Sequence, residues 1–168
     1  MTGFRQINPE NINDNTFKLI GHDWMLVASG TQDKFNMMTA SWGGFGVLWN
    51  KNVCYIFIRP TRYTFEFLEQ NDTFTLNFFG REWRKALNIC GTKSGRDIDK
   101  AKETGLTPIK CNNTVGFEQA RMIMECKKLY FQDINPENFL DPSLISHYSK
   151  KDYHRLYVGE ILSVNIKE

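Results

Sequence analysis

Residues 35–44 read Phe-Asn-Met-Met-Thr-Ala-Ser-Trp-Gly-Gly, or FNMMTASWGG. They lie between two apolar runs, WMLVAS (24–29) and VCYIFI (53–58). A barrel strand with one buried face alternates core and solvent residues and then ends in a turn. This stretch instead sets Met37 beside Met38, follows them with Thr39, Ala40 and Ser41, and closes on Trp42, Gly43 and Gly44. Two readings are open. In one it is a core strand with methionine gap-fillers, ended by a flexible Gly-Gly turn. In the other, small residues leave the main chain open to a flat, polar-edged ring. Backbone N–H and C=O groups then meet the ring's edge, and a soft methionine packs on its face.

Outward from this stretch the pattern is mainly that of strands. Runs at Trp24–Ser29, Phe35–Ser41, Val53–Ile58 and Thr73–Phe79 fit short strands. In TFTLNFF, Phe74, Leu76 and Phe78 alternate against Thr73, Thr75 and Asn77, the period of a strand with one buried face. Phe117–Phe131 and Leu156–Ile166 complete the strand set, although the Met and Lys of the former also suit a helix. Helices are expected at Thr64–Gln70 with Thr64 as N-cap, at Arg81–Cys90, at Asp97–Thr104 before Gly105, and briefly from Asp141-Pro142. Many short strands with few helices predict a single domain over residues 1–168, mainly β, as a closed or half-open barrel. No GxGxxG or GxxxxGK[ST] follows a strand, which excludes the Rossmann and P-loop phosphate sites.

Composition narrows the function classes. A chain of 168 residues buries a real core, and 13 Phe must largely enter it. The net charge of +2, with both signs interspersed, argues against a nucleic-acid surface but leaves room for a local anion pocket. No apolar window is long enough for a membrane helix, and the polar start MTGFRQINPENIND is not a secretory signal, so a cytoplasmic protein is expected. Cys54, Cys90, Cys111 and Cys126 show no CxxC spacing and the three His do not cluster with them. Reduced thiols and no metal site are therefore expected. No Ser-His-Asp or Cys-His-Asn order is present in a hydrolase context.

The richest chemistry lies in Arg59-Pro60-Thr61-Arg62-Tyr63-Thr64, directly after VCYIFI. A strand end that turns into a helix offers unpaired N–H groups, and Arg59, Arg62, Thr61 and Thr64 can add guanidinium and hydroxyl donors for one terminal phosphate. A solvated turn with surface arginines is the plain alternative. Asn77 can bond a ligand or a neighbouring loop, and His154 lies just before the last strand. The loop Thr92-Lys93-Ser94-Gly95-Arg96 could face a phosphate or only solvent.

Taken in order, NMMTASWGGFGVLW, RPTRYT, TLNFFG and HRLYVGEI resemble the flavin reductase-like family of FMN-binding split barrels, and its flavoredoxin-like members in particular. The resemblance runs from about Trp24 to the end of the last strand. It implies FMN in a groove between the subunits of a homodimer. Asn36, Met37, Met38, Thr39, Ala40 and Ser41 would line the ring and ribityl chain. Arg59, Thr61, Arg62 and Thr64 would hold the phosphate, and Asn77 and Phe78 would stand beside the flavin. Ser94 and Arg96 would lie near the cofactor. His154 would stand near flavin and nicotinamide as the catalytic candidate, although Asp152-Tyr153 precedes it where reductases often carry Gly-Asp. The implied activity is hydride transfer from NADH or NADPH to flavin. The alternative is a flavoredoxin-type carrier that takes electrons from a redox protein partner.

Overall fold

The computed structural model describes residues 2–168. Among these residues ten strands form: β1 (Phe4–Ile7), β2 (Met25–Gly30), β3 (Phe35–Ala40), β4 (Gly43–Leu48), β5 (Lys51–Ile58), β6 (Thr73–Phe78), β7 (Pro108–Cys111), β8 (Thr114–Phe117), β9 (Met122–Asp133) and β10 (Arg155–Lys167). Four α-helices accompany them: α1 (Thr16–Lys18), α2 (Tyr63–Gln70), α3 (Arg84–Thr92) and α4 (Lys100–Thr104). The main sheet runs β3-β2-β6-β9-β10-β5-β4, with β1 on β10, and β7-β8 form a separate hairpin. All its pairings are antiparallel.

The sheet's two ends, β3 and β4, are joined in the chain by Ser41 and Trp42 alone. The quoted stretch is thus where the sheet curls back on itself without closing, which makes the expected mainly β fold a split barrel. Gly43 and Gly44 do not form a turn; they open β4 against Ile56 and Tyr55 of β5. At Gly43, φ is 153° and a Cβ would lie 2.5 Å from the Tyr55 carbonyl oxygen, so only glycine lets the two strands approach here.

Alternation explains why β2 reads as a continuous apolar run. Met25 and Val27 face the barrel interior with Met38, Ala40, Ile56, Phe74, Leu76, Phe78 and Met124. Leu26 and Ala28 face a second core, built with Met37, Leu87, Cys90, Phe117 and Ile123 under α3 and the hairpin. A strand buried on both faces loses its polar period. Burying such side chains contributes roughly 1.5–3 kcal/mol each for the larger aliphatic and aromatic ones.

Several expected elements shift. The single strand at 117–131 is two strands. Their backbones serve different partners: Glu118 N–H donates to Thr107 O and Arg121 N–H to Phe78 O. The helix at 81–90 begins as a 3₁₀ turn at Arg81–Trp83 and continues to Thr92. Arg62, not Thr64, is the N-cap residue of α2, with no side-chain cap bond. Asp99 caps α4 by accepting from Lys102 N–H, and Gly105 ends it at φ 73°. Asp141 caps the 3₁₀ segment Pro142–Tyr148 as expected. Cys54, Cys90 and Cys126 are buried free thiols. Among the described residues no group of His, Cys, Asp and Glu could hold a metal ion, and no helix is long and apolar enough to cross a membrane.

Candidate functional site

Two pockets meet at Arg62. The smaller, of about 100 Å³, is walled by Thr61, Arg62, Thr64, Thr92, Ser94 and Lys100, among others. It forms because β5 ends at Ile58 and the chain turns within four residues into α2, Arg62 N–H closing the turn on Arg59 O at 3.0 Å. With no side-chain cap, the first N–H groups of α2 remain available, and they carry the positive end of the helix dipole. Arg62 donates through Nη1 to Gly91 O (2.7 Å) and through Nη2 to Cys90 O (3.1 Å), so its guanidinium is fixed against the carboxyl end of α3. Burial lowers its pKa.

Thr64 is fully buried and its hydroxyl accepts from Asn36 Nδ2 at 2.8 Å. That bond needs Gly95, because a Cβ there would fall 2.1 Å from Asn36 Oδ1. Ser94 Oγ accepts from Arg96 N–H at 3.1 Å. Lys100, 5% exposed, donates to Met37 O and Cys90 O, both at 2.9 Å. The smaller pocket is therefore rich in donors, and no acidic side chain lines it.

The larger pocket, of about 210 Å³, is walled by Met38, Thr39, Ala40, Ser41, Trp42, Phe57, Arg59, Arg62 and His154. One wall is β3, a sheet-edge strand bonded only to β2, which leaves its other backbone groups without a strand partner. Thr39 Oγ1 donates to Leu87 O at 2.6 Å and ties that edge to α3. The Trp42 ring lies 5.2 Å from the His154 ring and 5.5 Å from the His147 ring. His154 Nδ1 is 2.9 Å from the Tyr148 hydroxyl. Burial, aided by the Arg59 charge and opposed by Asp152, pushes His154 down to about 4, so it is neutral at pH 7.

The expected site residues separate on this geometry. Thr61, Arg62, Thr64 and Ser94 share the small pocket. Met38, Thr39, Ala40, Ser41 and His154 share the larger one with Arg59. Met37 turns to the other face of β3 and packs in the second core. Asn36 reaches the small pocket only through Thr64.

Arg59 is not beside the small pocket's hydroxyls. Its Nη1 donates to Asp152 at 2.7 Å and its Nη2 to His147 O at 2.9 Å, so the two arginines of RPTRYT diverge. Arg96 is exposed, stacked over Tyr63 at 4.7 Å and paired with Glu66. Asn77 and Phe78 line neither pocket and are fully buried. Asn77 Nδ2 donates to Leu26 O (3.1 Å) and Thr75 Oγ1 (2.8 Å), while Phe78 packs in the barrel against Phe45. Lys100 and Phe57 were not singled out by sequence reasoning, and Trp42 and Thr92 entered only as members of their stretches. Trp42 lies in the quoted stretch itself, whereas Lys100 gave no signal beyond its nearness to the basic loop.

The flavin reductase-like domain family model matches residues 17–168. The chain belongs to that family. Among solved structures it is similar to an FMN-binding domain of flavin reductase-like enzymes from Shewanella baltica (TM-score 0.71, 15% identity, 98% of this chain and 77% of the other). It is also similar to flavoredoxin of Desulfovibrio vulgaris (TM-score 0.68, 20% identity, 96% and 78%). A third is an NADH:FAD oxidoreductase of Streptomyces globisporus (TM-score 0.65, 14% identity, 86% and 75%). At these identities the likeness carries the split-barrel fold. A search of curated protein sequences gave no match.

Proposed function

We propose that this flavin reductase-like chain is an FMN-dependent oxidoreductase that works as a homodimer. The observation that supports it most is the pair of pockets joined at Arg62, one offering donors without acids and the other an open strand edge beside aromatic rings. The phosphate fits the first: Arg62, Thr61, Thr64, Ser94 and the first turn of α2 present charged and neutral donors to one anion. The isoalloxazine fits the second, with Met38 as its soft contact and the β3 backbone at its polar edge. The bound flavin would supply the hydride and electron chemistry; the protein supplies position and electrostatics.

The chain's own residues do three things in this reading. Arg62 orients the phosphate because its own plane is fixed by two carbonyls of α3. Thr39 holds β3 at a set distance from α3. Trp42 and neutral His154, their rings tilted by 53°, offer an uncharged aromatic wall that suits a second aromatic ring, which favours NADH or NADPH as donor. His154 is therefore a positioning group here and not an acid. A second copy would cover the open rim, where Phe17 and Trp42 present apolar surface.

The alternative, electrons delivered by a redox protein, draws support from the same rim, because Trp42 is 44% exposed. Protein purified after expression should be yellow and hold about one FMN per subunit. A colourless protein that binds no flavin on titration overturns the proposal. Anaerobic mixing with NADH or NADPH then separates the readings. Fast bleaching of the flavin supports the reductase, and bleaching only by a reduced partner protein supports the carrier.

A further inference from the structure

A cavity of about 760 Å³ opens at the start of α3, and it shares no lining residue with either pocket at Arg62. That volume suits a small-molecule site. Its floor is apolar: Phe79 and Leu87, both nearly fully buried, belong to the second core. Its wall is charged. The cations Lys18, Arg81, Arg84 and Arg121 stand against the acids Asp14 and Asp23, with His22 beside them.

Both acids are already spent. Asp14 receives Nη1 and Nη2 of Arg121 at 3.2 and 2.7 Å, and Asp23 pairs with Lys18. Arg81 and Arg84 have no carboxylate within ion-pair distance among the described residues. Glu82 folds its carboxylate over Gly80 and pairs with neither arginine.

Arg84 is held in one orientation. Its Nη1 donates to His22 O at 2.7 Å and to Asp23 O at 3.2 Å. Its guanidinium stacks on Trp24, with Cζ 3.3 Å from the ring centroid. The two carbonyls belong to the π-helical turn Leu19–Asp23, and Trp24 follows it at φ 71° and ψ 157°. That conformation is nearly reserved for glycine, so a bulky residue is kept there at a cost. What the Trp24 ring supports is the face of Arg84. The Nε and Nη2 hydrogens make no bond among the described residues, and they form the edge that receives a carboxylate side-on. A guanidinium stacked on one face and tied at one nitrogen has little freedom left to lose on binding.

We propose that this cavity is a second small-molecule site, which takes a monocarboxylic acid with a compact apolar body. The carboxylate meets the open edge of Arg84 with Arg81 nearby, and the body covers Phe79 and Leu87. The wall selects this class. Two unspent guanidiniums favour an anion and oppose a cation. Asp14 and Asp23 in the same wall disfavour a dianion such as a phosphate ester. An anion without an apolar part would leave the floor in water. The site is independent of the FMN reading, because no residue of the two flavin pockets takes part.

The test is a fluorine NMR titration of the purified protein with 4-fluorobenzoate, and with 4-fluorobenzamide as the uncharged probe of the same shape. Each titration is run with and without saturating FMN, for the wild type, Arg84→Met, Arg84→Lys and Arg81→Ala, each checked for a folded spectrum. The benzoate should bind the wild type saturably with Kd below about 1 mM, and the amide at least about tenfold more weakly. FMN should change the benzoate affinity by less than about threefold. Arg84→Met should weaken benzoate binding by about tenfold or more and leave the amide little changed. Arg84→Lys, which keeps the charge and loses the fork, should also weaken it, by about fivefold, and Arg81→Ala by about threefold. No saturable binding, equal binding of the two probes, or displacement of benzoate by FMN would overturn the inference. So would wild-type benzoate binding in Arg84→Met. If Arg84→Met does not fold, the wild-type ratio of the two probes and the Arg84→Lys loss decide.

Discussion

Arg59 and Arg62 are three residues apart, yet they serve opposite kinds of pocket. Around the larger pocket, apart from the shared Arg62, the charges are answered: Arg59 pairs with Asp152, and His154 is kept neutral by burial. Around the smaller one Arg62 and Lys100 lean only on carbonyl oxygens. A carbonyl satisfies a donor but does not cancel a charge. Under the proposed function, the difference assigns the anion to the smaller pocket and the uncharged ring to the larger.

The largest effect should come from comparing the two arginines directly. Arg62→Ala should weaken FMN binding by about 10–100-fold, the size of a lost charge-assisted bond, with much less loss for riboflavin. Arg59→Ala should change FMN affinity by less than about fivefold. Titrations that rank the two the other way round would break the contrast.

Gly95→Ala comes next. Its methyl must displace Asn36, which costs the Asn36–Thr64 bond, about 1 kcal/mol of stability, and roughly a fivefold loss of FMN affinity. Thermal unfolding and flavin titration read the two effects separately, and an unchanged protein in both would mean that Asn36 does not orient Thr64.

Arg59→Met should destabilise the protein by about 1 kcal/mol, because Asp152 loses its partner and the segment from Pro142 to Tyr148 loses a tie. It should also raise the His154 pKa by removing a nearby positive charge, which imidazole NMR titration would show.

The smallest effect at neutral pH belongs to His154→Gln. The folded-state pKa of His154, about 4, lies below the ordinary 6.5, so the unfolded chain takes up the proton first. Stability is whole above pH 6.5 and declines as pH falls towards 4. The glutamine variant should unfold with a flatter acid limb over that window, and an unchanged limb would deny the buried, neutral imidazole.

Particular residues show how far the sequence carried these conclusions. TFTLNFF announced β6 through its alternation, and Gly105 and Asp141 marked helix boundaries where they occur. β4 was hidden because its glycines look like a turn, whereas Gly43 is needed for contact with the Tyr55 backbone, a constraint set by another strand. RPTRYT was legible as a donor-rich motif. The divergence of its arginines was not, since it depends on Asp152 and on α3, each brought there only by folding. Asn77 looked like a polar break open to a ligand, but its amide serves Leu26 inside the barrel wall. Lys100 was silent for the same reason: its meaning lies in the approach of α4 to the end of α3.

The most direct measurement is the ratio of FMN to riboflavin affinity for the wild-type apoprotein at pH 7. A half-buried Arg62 and a buried Lys100 bonded only to carbonyls, with an uncapped helix start, predict FMN tighter by about 100-fold or more. Equal affinity for the two flavins, or no binding of either, would contradict an FMN protein whose phosphate lies at Arg62 and the start of α2.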